Sequence, residues 1–90
     1  MQYAVVLYES ADDLASKAPE HFPAHVAHWE RYKADGTLVM IGAFGDPQNQ
    51  GSMAIFTSRE AAEDFARTDP FVLNGVVARW EVRDWTDALS

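Results

Sequence analysis

The sequence contains no cysteine, which excludes disulfides, thiolate metal sites and cysteine nucleophiles. It also lacks a long hydrophobic run, since the longest apolar stretch, 38–44, is far shorter than the ~20 residues that a membrane-spanning helix needs. Basic residues are few, 7 against 14 acidic ones, and they form no run. With a net charge of −7, the chain is a poor electrostatic partner for nucleic acid or an anionic membrane, and we expect neither.

The first residues lack the basic region and the small-residue cleavage site of a signal peptide, so we expect a first strand and a cytoplasmic protein. The 90 residues predict one domain, 1–90, and a content of 48% apolar and 23% charged residues is that of a globular protein. A domain of this size buries only about two thirds of its unfolded surface. We therefore expect either oligomerisation or a histidine–carboxylate metal site to support it.

Hydrophobic periodicity predicts four strands and two helices. The strands are expected over 2–8, 37–44, 52–56 and 76–85, the first helix over 20–35 and the second between Thr57 and Asp69. Residues 9–19 and 45–51 are expected to be loops, with a helical turn at most over 12–17. On the last strand, one face is expected to carry Val76, Ala78, Trp80 and Val82, and the other Val77, Arg79, Glu81, Arg83 and Trp85.

The helix ends carry local signals. Pro23 suits the first turn of the first helix, and Gly36 suits the position just past its end. Thr57 and Glu60 match a capping box, with Thr57 as the N-cap of the second helix. We expect that helix to stop at Asp69, because the residue before a proline avoids the α region.

The order βαββαβ predicts an α+β, ferredoxin-like fold with a four-stranded antiparallel sheet. Two helices can cover only one face of that sheet, whereas the first three strands are apolar on both faces. Soluble monomers rarely expose such a large apolar patch. We therefore expect a homodimer formed through the open sheet face.

Three histidines, His21, His25 and His28, lie within eight residues of the first helix. The apolar stripe of that helix comprises Phe22, Val26 and Trp29, with Tyr32 at its edge. Taking His21 as zero, His25 lies at about 40° and Trp29 at about 80°, while His28 lies near 340° on the other side. His25 is thus expected to be partly buried, either as a general base or as a core-edge histidine with a satisfied hydrogen bond. We expect His21 and His28 on the surface, and no metal site, because no zinc-binding spacing accompanies them.

Asp69 is the second candidate for chemistry. An aspartate before proline is usually a turn residue, yet a carboxylate is placed unfavourably against the dipole at a helix C-terminus. Spacing alone does not place Asp69 near His25, although both helices are expected on the same sheet face. Arg79 and Arg83 are candidates for an anion site, for a solvated edge or for ion pairs in a dimer.

Several segments together resemble the YCII-related (YciI-like) family over essentially the whole chain. They are residues 3–8, 24–29, 36–44, 51–56 and 69–77. The run Asp-Pro-Phe-Val-x-x-Gly over 69–75, which follows a Glu/Ala-rich helix, is the most specific of them. Ala43 stands where the family usually has a proline, a mild departure that leaves the site assignment in place.

This resemblance implies a dimeric α/β barrel similar in fold to muconolactone isomerase. It also implies a His–Asp catalytic pair, which corresponds here to His25 and Asp69. Some members of the family are thought to remove HCl from chlorinated hydroxyquinols, whereas many have no known reaction.

The leading hypothesis is a small cofactor-free enzyme, of lyase (dehydrochlorinase) or isomerase type, acting on a small cyclic or aromatic metabolite. His25 would transfer a proton and Asp69 would orient its ring. The expected substrate-binding residues are Trp29, Phe44, Ser52 and Phe71, with Phe22 as a further aromatic wall; Ser52 lacks the pattern of a nucleophile elbow. Two alternatives stay open: a non-catalytic ligand-binding or interaction module on the dimeric barrel, and a cofactor-free oxygenase.

Overall fold

The computed structural model describes all residues, 1–90, and consists of a four-stranded antiparallel sheet with helices packed on one face. The elements in chain order are β1 (Gln2–Ser10), α1 (Leu14–Ala34), β2 (Leu38–Ala43), α2 (Pro47–Gln50), β3 (Ser52–Phe56), α3 (Arg59–Thr68), α4 (Pro70–Leu73) and β4 (Val77–Thr86). The sheet order is β2-β3-β1-β4, with antiparallel neighbours throughout. The α+β, ferredoxin-like fold is therefore confirmed, with the one-turn helices α2 and α4 added to the expected order.

The core lies between the sheet and the helices α1 and α3. On β1, Ala4, Val6 and Tyr8 point into the core, as the two-residue period of a strand requires. Phe56 of β3 and Phe65 of α3 are fully buried, and their ring centres lie 5.0 Å apart. None of the helices combines the length and the apolar character needed to cross a bilayer.

The expected start of the first helix was wrong, because α1 begins at Leu14 and contains both Pro19 and Pro23. Each proline removes one N–H donor, so one carbonyl a turn earlier loses its partner. Both prolines are exposed, so water reaches that side of the helix. The cost of the two prolines is thereby low enough for the helix to run through the segment 9–19 that we expected to be a loop.

The expected N-cap of the second long helix was also wrong. Ser58, not Thr57, caps α3, and its side-chain oxygen accepts a 3.1 Å hydrogen bond from the Ala61 N–H. Thr57 instead stays in register with the sheet, where its N–H donates to the Thr37 carbonyl at 2.9 Å. The end of α3 at Thr68, immediately before Asp69, is confirmed.

A β-bulge changes the expected faces of β4. Ser10 pairs with Val77, whereas the preceding Glu9 pairs with Arg79, so one extra residue lies on β4 at this point. As a result, Val77 packs in the core together with Trp80 and Val82 rather than on the opposite face.

The other sheet face has no cover. The alternation that directs core residues to the helices directs Leu7, Met53 and Ile55 outwards, and Met40 on the edge strand is 65% exposed. At the β4 side of this face, Arg79 pairs with Glu9, and Arg83 pairs with Glu81. Both arginines thus have an exposed carboxylate partner within the chain.

Candidate active site

A cavity of about 330 Å³ lies between α1 and the end of the sheet where β1, β2 and β3 meet. Aromatic and apolar side chains dominate its lining, which includes Phe22, Trp29, Ile41, Ala54, Phe65 and Phe71. No lysine, arginine, aspartate or glutamate lines it. Its polar side chains are Tyr8, Ser10, His25 and Ser52. A pocket of this size and lining is typical of small-molecule sites.

His25 lines this cavity, and Asp69 lies buried behind it in contact with the ring. The Nδ1 atom of His25 lies 2.7 Å from Oδ1 of Asp69. Asp69 has no exposed surface and His25 is only 6% exposed. The structure therefore brings together the two residues that the family resemblance paired, although 44 positions separate them in the sequence.

The local fold explains the position of Asp69. It ends α3 and also forms the N-cap of α4, where its Oδ1 accepts a 3.0 Å hydrogen bond from the Phe71 N–H. Pro70 at the first position of α4 fixes the chain direction there. The Asp-Pro-Phe sequence thus turns the carboxylate inward, towards α1.

Asp69 accepts a third hydrogen bond from the Tyr8 hydroxyl, which lies 2.6 Å from Oδ2. When Asp69 is ionised, both of its oxygens act only as acceptors, so Nδ1 of His25 is the donor in this contact. In a neutral ring with that tautomer, Nε2 carries the lone pair. It has no hydrogen-bond partner, and no buried side-chain nitrogen or oxygen is left unpaired, so Nε2 is the ring atom open to the cavity.

Aromatic rings hold the imidazole in place. The Phe71 ring stacks on His25 with centres 3.9 Å apart and planes 6° from parallel. The Trp29 ring meets it edge-on, at 5.0 Å and 82°. With Asp69 bonded to Nδ1, these contacts leave the imidazole little freedom to turn.

Sequence reasoning missed Tyr8. Burial, and next the Asp69 carboxylate, raise the pKa of Tyr8 far above that of an ordinary tyrosine, so the hydroxyl keeps its proton. Tyr8 lies opposite Ser52 in the sheet. Gly51 makes this close packing possible, because a Cβ there would lie 1.9 Å from the Tyr8 carbonyl oxygen.

The expected substrate-binding residues fall into two groups. Trp29, Ser52 and Phe71 line the cavity, and the Ser52 hydroxyl forms no hydrogen bond within the chain. Phe44 does not line it: it lies beside a shallower depression of about 240 Å³ with Met40 and Ile55 at the sheet edge. The reason is that β2 ends at Ala43, so Phe44 has already left the strand.

The expectation of a surface position for His28 was wrong. His28 is buried, and its Nε2 lies 3.0 Å from the Phe65 carbonyl oxygen and 3.3 Å from the Thr68 hydroxyl. Compared with the apolar stripe expected from the sequence, the buried side of α1 is rotated about the helix axis. It lies further from Phe22, which is 49% exposed, and closer to Tyr32 and His28. No three histidine, aspartate or glutamate side chains converge on a point where a metal ion could bind.

The chain matches the family model described as YCII-related domain over residues 1–86. A comparison with curated proteins finds no match. Among solved structures it resembles 5-chloro-2-hydroxyhydroquinone dehydrochlorinase from Burkholderia phenoliruptrix AC1100, in complex with 2,5-dihydroxybenzoquinone. The TM-score is 0.73, with 22% identity over 99% of this chain and 97% of that chain.

Two further solved structures are similar. One is a protein from Agrobacterium tumefaciens, with a TM-score of 0.59 and 15% identity over 98% of this chain and 94% of that chain. The other is a conserved protein from Methanosarcina mazei Go1, with a TM-score of 0.58 and 11% identity over 97% of this chain and 93% of that chain. At these identities the three structures show the fold.

Proposed function

The chain belongs to the YCII-related family, and on that premise we propose that it is an enzyme of acid–base chemistry acting on a small cyclic or aromatic compound. His25 is the proposed proton-transfer group and Asp69 the carboxylate that orients it. One observation carries the proposal: His25 lines an apolar cavity to which its Nε2 is open, while its Nδ1 lies 2.7 Å from the buried Asp69 carboxylate.

The proposed chemistry follows from the tautomer. Nε2 of the neutral His25 takes a proton from the bound ring, and the imidazolium that forms keeps its Nδ1–H on the Asp69 carboxylate. In a dehydrochlorination the ring first tautomerises, so that one hydroxyl proton moves to the chlorine-bearing carbon and makes it saturated. Nε2 then takes a remaining hydroxyl proton, and the electron pair it leaves behind shifts to form a new π bond and expels chloride. His25 then gives its proton to water. An isomerase instead returns that proton to a different atom of the substrate.

The cavity favours a small ring without strong charge. An apolar cavity of ~150 Å³ is enough to hold benzene, so about 330 Å³ accommodates a single substituted ring. The Phe71, Trp29 and Phe22 rings offer flat apolar surface, and the free Ser52 hydroxyl offers one polar contact. A fold similar to a dehydrochlorinase in complex with 2,5-dihydroxybenzoquinone supports the same substrate class. Phe44, which lies outside the cavity, has no part in the proposal.

The proposal keeps three further expectations from the sequence. The protein acts as a homodimer through the open sheet face, and it acts in the cytoplasm without a cofactor.

The first experiment tests turnover of single-ring compounds. Purified protein is incubated with 5-chloro-2-hydroxyhydroquinone and related chlorinated or hydroxylated rings, and chloride release and oxygen consumption are followed. We expect chloride release without oxygen consumption. His25→Ala should lower kcat/KM by about 10²–10⁴-fold, the usual contribution of a positioned acid–base group, and Asp69→Asn should also lower it strongly.

His21→Ala is the matched control, because His21 lies on the same helix but does not line the cavity. Folded His25→Ala and Asp69→Asn variants that both turn over substrate at the wild-type rate would refute the proposed pair. Binding of 2,5-dihydroxybenzoquinone without turnover of any tested ring would favour a ligand-binding module. Oxygen consumption would favour the oxygenase alternative.

A further inference from the structure

The two carboxylate oxygens of Asp69 have different numbers of hydrogen-bond partners. Oδ1 accepts from His25 Nδ1 and from the Phe71 N–H, whereas Oδ2 accepts only from the Tyr8 hydroxyl at 2.6 Å. No lysine or arginine pairs with Asp69, and water has no access to it because the residue is fully buried. At Oδ2, Tyr8 is therefore the only hydrogen-bond donor.

The state of the carboxyl group decides which nitrogen of His25 is basic. An ionised Asp69 accepts the Nδ1 proton and leaves Nε2 with its lone pair, facing the cavity. A protonated Asp69 becomes a donor to Nδ1, which moves the ring proton to Nε2. Nε2 then cannot take a proton from a substrate. A donor fixed on Oδ2 favours the ionised carboxylate and so disfavours the second arrangement.

Tyr8 is well placed to be that donor. It lies on β1, a central strand of the sheet, and its ring packs on Phe65 with centres 6.5 Å apart and planes 18° from parallel. Gly51, just before β3, allows the chain to pack directly against the backbone of Tyr8 on β1. Movement of β1 away from β3 would break this contact. The Tyr8 ring is thus part of the buried core, with its hydroxyl on Asp69.

We propose that Tyr8 is a positioning residue that holds Asp69 ionised and thereby keeps the His25 proton on Nδ1, with Nε2 as the basic atom. The value of this arrangement for catalysis rests on the proposed function. The tautomer itself is a property of the resting protein and can be measured without substrate.

The test is ¹⁵N NMR of histidine-labelled protein in wild type, Tyr8→Phe and Tyr32→Phe. The Tyr32→Phe variant is the matched control, because Tyr32 also donates to a carboxylate, Asp64, at 2.6 Å but not in the cavity. We expect neutral His25 to be protonated mainly at Nδ1 in wild type and Tyr32→Phe, and to lose that preference in Tyr8→Phe. An unchanged His25 tautomer in a folded Tyr8→Phe protein would overturn the proposal.

A second measurement uses the unmodified protein, in case Tyr8→Phe does not fold. The hydroxyl proton of Tyr8 should exchange slowly with solvent, whereas Tyr3, whose hydroxyl has no hydrogen-bond partner, should exchange quickly. Equal exchange at the two tyrosines would overturn the proposal. If the tautomer depends on Tyr8 while Asp69→Asn retains full turnover, the proposed function fails and the positioning role of Tyr8 remains.

Discussion

At the scale of single residues, the candidate site is built around one buried carboxylate. A buried charge is costly unless hydrogen bonds satisfy it, and each hydrogen bond to a charged group contributes about 1.5–3 kcal/mol. Asp69 receives three such bonds, from β1, α1 and α4. The same contacts therefore join three elements of the fold and orient the candidate base, so loss of any one of them affects both stability and the site.

The buried hydroxyl of Tyr8 makes the free energy of unfolding depend on pH in the alkaline range. Burial and the Asp69 carboxylate raise the pKa of Tyr8 above the 10.0 of a free tyrosine, so the folded protein binds this proton more tightly than the unfolded chain does. Its contribution is fully present below about pH 10 and is lost as the pH rises above that value, by up to about 1.4 kcal/mol per pH unit. The difference in the free energy of unfolding between wild type and Tyr8→Phe should therefore shrink above about pH 10.

Chemical denaturation from pH 8 to pH 11 measures this difference. Other groups that titrate in the range, Tyr32 among them, are present in both proteins and cancel in the comparison. A constant difference across the range would show that the Tyr8 hydroxyl does not depend on its buried contact with Asp69.

The sequence revealed the residues of the site unequally. The helical angle of His25, beside Trp29, pointed to its burial, whereas only the family resemblance linked it to Asp69. Tyr8 carried no signal, because a tyrosine in an alternating strand looks like any other core residue. Its role depends on a contact with Asp69, 61 positions away, and such a contact depends on how strands and helices pack.

At the scale of elements, the start of α3 has two adjacent residues of a type that caps helices, Thr57 and Ser58. Ser58 accepts from the Ala61 N–H, whereas the Thr57 side chain makes no hydrogen bond. Loss of an N-cap serine costs about 1 kcal/mol, which corresponds to a fall in Tm of about 4–8 °C in a domain of this size. We expect Ser58→Ala to show that fall and Thr57→Ala to stay close to wild type.

Thermal unfolding at one fixed protein concentration compares the two variants, since any self-association makes Tm depend on concentration. A larger fall in Tm in Thr57→Ala than in Ser58→Ala would contradict this expectation. It would support Thr57 as the N-cap, in a capping box with Glu60.

Element boundaries were predictable where a single local interaction decides them. Gly36 follows α1 with a φ of 83°, as a position after a helix requires, and Pro70 follows the end of α3. The start of α1 and the side of α1 that is buried were not predictable in this way. They depend on the packing of α1 against α3, where the carbonyl oxygen of Phe65 is a hydrogen-bond partner for the buried His28 ring.

At the scale of the whole molecule, the two faces of the sheet have different surroundings. The helices cover one face, while the other presents apolar side chains of β1, β2 and β3 beside the paired charges of β4. The alternating pattern of the strands predicted this asymmetry, because each residue's face follows from its position in the strand. Two irregularities depart from it, the bulge next to Val77 and a register shift between Leu38 and Met40 on β2.

The uncovered face predicts a homodimer, and Ile55 in its interior tests it. Wild-type protein should sediment at about twice the chain mass of 10.0 kDa. Ile55→Asp places a carboxylate on each of two facing apolar surfaces, where it is desolvated without a partner, so we expect the dimer to weaken by at least about tenfold. Leu89→Asp makes the same change at a side chain that is 97% exposed and should leave the dimer intact. Sedimentation equilibrium over a concentration series measures all three, and a wild-type protein that stays at the mass of one chain would refute the dimer.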